Sequence, residues 1–262
     1  MKKALSIAGS DSGGGAGIQA DIKTFSALGV YATTAVTAIT AQNTLGVSAV
    51  QLIEPDMVRQ QLEAVLSDIG ADAIKIGMLG SIVNIEVVSR IMEEYQPDNI
   101  VLDPVLYSKT MFPLLQQEAV KILSERLFPL VDFLTPNIPE AELLTGFAIK
   151  SIEDMKKAAL QLRIMGPKIV LVKGGHFPGK AIDLYFDGKD YILLEEERIN
   201  TKHTHGTGCT LSSAITAYLA KGFEPLSAVR NAKEYVTQAI AHSLNIGKGI
   251  GPTNHFYQVW KE

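Results

Sequence analysis

Residues 152–175 read IEDMKKAALQLRIMGPKIVLVKGG. Apolar side chains recur at helical spacing over residues 152–165, Gly166 stops the run, and a continuous apolar burst follows at 169–172. The burst ends on Lys173-Gly174-Gly175-His176. A helix, a turn, a buried strand and an open glycine loop make one step of a parallel βαβ sheet.

The same step repeats in both directions along the chain. Further apolar bursts fall at 4–8, 35–40, 73–76, 100–102 and 133–135, and a pair at 182–186 and 191–194 turns back at Asp187-Gly188. Helical periodicity marks 57–69, 85–95, 118–127, 209–220 and 225–243, with Gly70, Pro97, Pro129 and Gly222 as stop signals. No linker rich in Pro, Gly or Ser interrupts the series, and no internal repeat is present. Residues 1–262 are therefore expected to form one α/β domain. Its sheet is expected to be doubly wound and mostly parallel, with helices on both faces and a small antiparallel edge element.

Composition supports a self-sufficient globular domain, because 47% hydrophobic and 20% charged residues can bury a sizeable core. The 24 Lys and Arg against 28 Asp and Glu leave a net charge of −4 and no long basic run, which argues against a nucleic-acid partner. One cysteine, Cys209, excludes an intramolecular disulfide and fits a reducing compartment. The opening MKKALSIAGSD has an apolar run too short for a signal peptide, and no segment supplies the roughly 20 apolar residues that span a bilayer. A cytoplasmic protein without a membrane partner is expected.

In an open parallel sheet, ligands bind beyond the carboxyl ends of the strands. There the sequence places Gly9-Ser10-Asp11, Gly77-Met78, Asp103-Pro104-Val105, Pro136-Asn137 and Lys173-Gly174-Gly175. The segment Thr204-His205-Gly206-Thr207-Gly208-Cys209 leads directly into a helix, so its glycines and first-turn amides form a candidate phosphate cradle. It is neither a Walker A loop nor a GxGxxG fingerprint, and an ordinary glycine turn into a helix would look similar. Cys209 in that first turn is a candidate general base, since the helix dipole favours thiolate; an inert buried thiol is the alternative. Lys173 would meet phosphate charge, or be a surface lysine at a strand end. Asp103 and Glu140 are candidate Mg²⁺ carboxylates, with Glu140 also suited to complement a helix dipole.

Two further readings belong to the loops. The glycines of residues 9–21 fit a dinucleotide fingerprint poorly; they suit a tight loop on which a flat substrate lies, with Asp21 bonding its polar edge. Gln42 offers the donor and acceptor that an aminopyrimidine edge needs. A rival chemistry makes Cys209 a nucleophile with His205 or His203 as base, and a metal site of His203, His205 and Cys209 is a weaker variant.

Taken together, AGSDSGGGAGIQAD (8–21), KTFSALGVY (23–31), TAQNTLGV (40–47), KIGML (75–79), LDPV (102–105), TPNIPEAELL (135–144), KGGH (173–176), THGTGCTLS (204–212) and GIGPTNHF (249–256) resemble the ribokinase-like superfamily. Within it they resemble the hydroxymethylpyrimidine/phosphomethylpyrimidine kinases, over nearly the whole chain. The resemblance implies ATP- and Mg²⁺-dependent phosphorylation of 4-amino-5-hydroxymethyl-2-methylpyrimidine and then of its monophosphate, for thiamin synthesis. It implies that the pyrimidine lies among Gly9, Asp21, Gln42, Met78 and Val105, with Cys209 near the reacting hydroxyl. It further implies that Lys173, Asn137, Gly206, Thr207 and Gly208 hold phosphates, that Asp103 and Glu140 organise Mg²⁺, and that the chain forms a homodimer.

The loop from Val105 to Met111 departs from the family pattern, with Leu106 where relatives often carry Met, so closure over the second phosphate is not implied as firmly. Pyridoxine/pyridoxal kinase is the neighbouring alternative, and Gln42 and Met78 favour the pyrimidine. A silent ligand-binding regulator is disfavoured by the intact Lys173, Asp103 and Cys209.

Overall fold

The computed structural model describes residues 1–107, 114–115, 117–175, 177 and 179–260. Ser108 to Met111 of the divergent loop and His176 lie outside these. Among the described residues the strands are β1 (Lys3–Asp11), β2 (Tyr31–Asn43), β3 (Gly46–Leu52), β4 (Ala73–Ile76), β5 (Ile100–Leu102), β6 (Phe133–Leu134), β7 (Ile169–Val172), β8 (Ala181–Phe186) and β9 (Tyr191–Glu196). The helices are α1 (Gly17–Ala27), α2 (Pro55–Ala64), α3 (Ile82–Tyr95), α4 (Gln117–Leu127), α5 (Ile138–Thr145), α6 (Ile152–Ile164), α7 (Thr207–Ala220) and α8 (Pro225–Ala241).

All strands join one sheet in the order β3-β2-β1-β4-β5-β6-β7-β8-β9. The six from β2 to β7 are parallel, while β3 pairs antiparallel with β2, and β8 and β9 run antiparallel beyond β7. The expected hairpin turns through Gly188 at φ 92°, where Asp187 Oδ1 accepts from the amides of Lys189 and Asp190.

Alternation along each strand divides the core into two layers. Leu5, Ile7, Ile74, Ile76, Ile100, Leu102, Val170 and Val172 face α2, α3, α4 and α6. Ala4, Ala73, Val101, Phe133, Ile169 and Leu171 face the other way, onto α1, α7 and α8. Helix starts are capped where the sequence offers caps. Ser81 accepts from Asn84 N–H and Ser151 from Asp154 N–H, and prolines open α2 and α8.

Two elements were not expected. Helix α1 begins at Gly17 inside the glycine-rich stretch read as a loop, and it turns Asp21 inward. Strand β3 has no apolar burst because it is an edge strand with most of its side chains partly or fully exposed. The chain leaves β1 toward β2 and β3, then returns to its other side at β4. The switch point therefore falls between β1 and β4, where their carboxyl ends diverge and a ligand can enter.

Candidate active site

A cavity of about 570 Å³ opens at that switch point and extends along the carboxyl ends of β5 and β7 to α8. Gly9, Gln42, Met78, Val105, Asp103, Asn137, Glu140, Lys173, Gly206, Thr207, Gly208 and Cys209 all line it. Asp21 does not.

One end of the cavity is built around an ion pair. Lys173 Nζ lies 2.6 Å from Asp103 Oδ1, and Asp103 Oδ2 accepts from Ser212 Oγ at 3.3 Å. A Cβ on Gly208 would stand 3.5 Å from Lys173 Nζ and 3.8 Å from Asp103 Oδ2, so the first turn of α7 abuts the pair. Burial opposes both charges. The Asp103 and Glu140 carboxylates nevertheless hold the Lys173 ammonium above its ordinary range, and Lys173 with Lys75 holds Asp103 below its own.

Gly206, the residue before α7, takes φ 80°, and a Cβ there would strike the carbonyl oxygen of Gly15. Both facts require glycine. Gly208 and Cys209 sit in the first turn, where amides have no intrahelical acceptor and remain available to an anion.

Glu140 and Asn137 form a capping box at the start of α5. Asn137 Oδ1 accepts from Glu140 N–H at 2.9 Å, and Glu140 Oε2 accepts from Asn137 N–H at 2.8 Å. Burial pushes the Glu140 carboxyl up to about 7, with Lys173 pulling against it and Asp103 adding to it. The Asn137 side chain has only its amide Nδ2 left to donate.

At the other end, a Cβ on Gly9 would stand 3.0 Å from Met78 Sδ, so the missing side chain leaves a flat floor. Asp21, expected at a substrate's edge, is fully buried behind that floor. Its carboxylate pairs with Lys75 Nζ at 2.9 and 3.1 Å and accepts from Ser6 Oγ and Ser213 Oγ. The register of α1 turns it away from the cavity, and Lys75 stands at the wall instead.

Burial acts against the thiolate expected at Cys209. Burial pushes its thiol up to about 11, outweighing the attraction of Lys75, while Asp21 and Asp103 push the same way. A backbone hydrogen bond from Gly17 favours thiolate without reversing this. The two histidines of the rival dyad are engaged elsewhere. His205 Nε2 lies 2.8 Å from Asp11 Oδ2, and His203 Nδ1 accepts from Gly251 N–H at 3.1 Å. Among the described residues no three His, Cys, Asp or Glu side chains gather as a metal cluster, so the His203, His205 and Cys209 site does not form.

Sequence reasoning gave no role to Lys75, Asp11 or the Lys233–Asp183 pair, which closes at 2.6 Å at the α8 end of the cavity. For Lys75 a signal was present: a lysine within the apolar burst Ala73-Ile74-Lys75-Ile76 must find a buried partner.

The phosphomethylpyrimidine kinase family model matches residues 11–254. A hydroxymethylpyrimidine/phosphomethylpyrimidine kinase of Bacillus subtilis is 51% identical over 97% of this chain and 94% of its own. The phosphomethylpyrimidine kinase structure from Clostridium difficile superposes with a TM-score of 0.82 at 46% identity, over 92% of this chain and all of that one. The pyridoxal kinase of Bacillus subtilis, solved as an ADP complex, superposes with a TM-score of 0.93 at 43% identity over 98% of both chains. With glycine turn, lysine and carboxylates gathered at one switch point, the chain belongs to the phosphomethylpyrimidine kinase family, phosphotransferases of the ribokinase-like fold.

Proposed function

We propose that the chain transfers the γ-phosphoryl group of ATP to the hydroxymethyl group of 4-amino-5-hydroxymethyl-2-methylpyrimidine, and then to the resulting monophosphate, in thiamin synthesis. The observation that carries this reading is the Lys173–Asp103 pair abutting the first turn of α7 in the same cavity as Gln42. Lys173, Asn137 Nδ2 and the amides of Gly206, Thr207 and Gly208 bind phosphate oxygens and stabilise charge on the group in flight. Gly9, Met78 and Val105 bed the ring, and Gln42 reads its edge.

Asp103 and Glu140 would hold Mg²⁺, with nucleotide phosphates completing its oxygen shell and the ion neutralising charge between phosphates. The fit rests on the donor set, two carboxylates that line one cavity and offer the hard oxygen ligands this ion takes. Thr135, just past β6, donates to Asp103 Oδ1 at 3.3 Å, and Glu140 on α5 holds the Asn137 side chain.

A Cys209 thiol that begins protonated acts as a relay. As the alcohol oxygen attacks phosphorus and the bond to the leaving β-phosphate oxygen breaks, sulfur takes the alcohol proton and passes its own to a phosphate oxygen. Cys209→Ala should lower kcat by roughly 100-fold or more with ligand binding retained, whereas Cys209→Ser should keep much of the activity because a hydroxyl also relays. Near-normal turnover in the alanine variant would remove the assignment.

Pyridoxal is the second reading, favoured by the likeness to the Bacillus subtilis pyridoxal kinase. Side-by-side turnover of the pyrimidine alcohol, its monophosphate and pyridoxal by the purified protein decides; a large pyridoxal preference overturns the pyrimidine reading. A homodimer and a cytoplasmic location complete the proposal. Exposed Ile39, Leu45 and Leu52 at the β2–β3 edge support self-association, which light scattering tests. Among the described residues no helix is long and apolar enough to cross a membrane.

A further inference from the structure

Strands β7 and β8 part just before Lys173. Their antiparallel ladder pairs Val170 with Phe186, Leu171 with Tyr185 and Val172 with Leu184, and it ends there. A continued ladder would give the next free amide a carbonyl from the facing strand. Gly174 N–H instead donates to a side chain, Asp183 Oδ1, at 2.9 Å. A Cβ on residue 174 would strike the carbonyl oxygen of Ile182, so the approach needs glycine.

The other oxygen of Asp183 is held from α8. Lys233 Nζ lies 2.6 Å from Asp183 Oδ2 and donates to Ala181 O at 3.1 Å. Lys233 and Asp183 expose only 9% and 11% of their side chains, and both border the cavity. Taking two charges out of water is costly, and a hydrophobic pair of similar volume often serves stability as well. What the hydrophobic pair lacks is a strong, directed acceptor for one backbone N–H.

That N–H belongs to the residue after Lys173. The N–H of Lys173 itself donates to Pro136 O at 2.8 Å, and its backbone bridges to Asn137. The main chain is thus fastened on both sides of the lysine, to the end of β6 by one amide and to Asp183 by the next.

We propose that Lys233 and Asp183 are positioning residues for phosphoryl transfer, which hold the Gly174 amide and so fix the backbone from which Lys173 reaches the transferring phosphate. This role rests on the phosphate contact proposed above for Lys173, and it extends the machinery to the α8 end of the cavity. Neither residue needs to touch the ligand to act in this way.

Two charge-free replacement pairs isolate the held amide. Lys233→Met with Asp183→Asn keeps an oxygen for Gly174 N–H, and Lys233→Met with Asp183→Leu removes it; neither strands a buried charge. The leucine pair should have a kcat roughly 10- to 100-fold below that of the asparagine pair, as a misplaced reacting group does, with the same KM for the pyrimidine alcohol. Adding Lys173→Ala to both should shrink the gap to below about 3-fold, because no ammonium is left to place. Equal kcat values with Lys173 present overturn the proposal. So does a gap that survives loss of Lys173, which would mean that residue 183 acts on the ligand itself. Should the leucine pair fail to fold, Asp183→Ala replaces Asp183→Leu. Amide hydrogen exchange at Gly174 reads the hold without turnover: protection should persist in the asparagine pair and vanish in the leucine pair, and equal exchange overturns the hold. If Lys173→Ala alone leaves turnover normal, the phosphate reading has failed, and exchange at Gly174 still decides the hold.

Discussion

Lys75–Asp21 and Lys173–Asp103 are both buried lysine–aspartate pairs packed against α7, and they differ in what else each aspartate holds. Neither side chain of the first pair has any exposed surface, although Lys75 borders the cavity, and Asp21 is saturated by Ser6 and Ser213 from β1 and α7. In the second, 13% of the Lys173 side chain remains exposed, at the wall of the cavity and beside the Gly208 backbone. The same ion pair is scaffolding where every partner is fixed, and machinery where one partner can exchange for a ligand. Breaking a sealed pair leaves a bare buried charge, so its cost falls on folding. Breaking the open pair should fall on turnover.

The largest effect should come from Lys75→Met, which strands Asp21 and should cost about 3–5 kcal/mol of stability. Urea unfolding measures it, and adding Asp21→Asn should recover part; an unshifted midpoint would erase the contrast. Next, Lys173→Ala should lower kcat/KM by roughly 100- to 1000-fold, as loss of a transition-state charge partner does, while losing less stability than Lys75→Met. Steady-state kinetics beside the same urea titration sharpen the comparison. A stability loss equal to that of Lys75→Met with normal turnover would reverse the two roles.

A third effect concerns Glu140, the second acid near Lys173. Its folded pKa, raised from 4.5 to about 7, means that the folded protein holds a proton the unfolded chain has released. Stability of the unliganded protein should therefore fall as pH rises from about 4.5 to 7, and Glu140→Gln should flatten that slope. Thermal melts across this window check it, and an unaltered slope would place the proton elsewhere.

Much of the open pair was legible in the sequence, and little of the sealed one was. Lys173, Asp103 and Asn137 each follow a short apolar strand, where the rule for parallel sheets puts ligands, and Gly206 to Cys209 precede an obvious helix. Asp21 was misread because its glycine neighbours suggested a loop; which way it points depends on the register of α1, which begins at a positive-φ glycine and has no polar N-cap. At Cys209 the helix dipole is visible locally, whereas the desolvation that opposes it comes from the packing around it. Strand β3 escaped because periodicity records burial, and an edge strand has little. The Asp11–His205 contact joins residues 194 apart, and no local pattern announces it.

The placement of α7 has a consequence for synthesis on the ribosome. Ala4, Ala73 and Val101 lie on the sheet face that α7 covers with Leu211, Ala214 and Ile215. Ser213, which bonds Asp21, sits on the same helix. A chain synthesised from its N-terminal side thus carries a half-clothed sheet and an incompletely satisfied buried charge until α7 has emerged. Its completion is a late, long-range event, the kind that makes folding slow and leaves partial chains in need of chaperone cover.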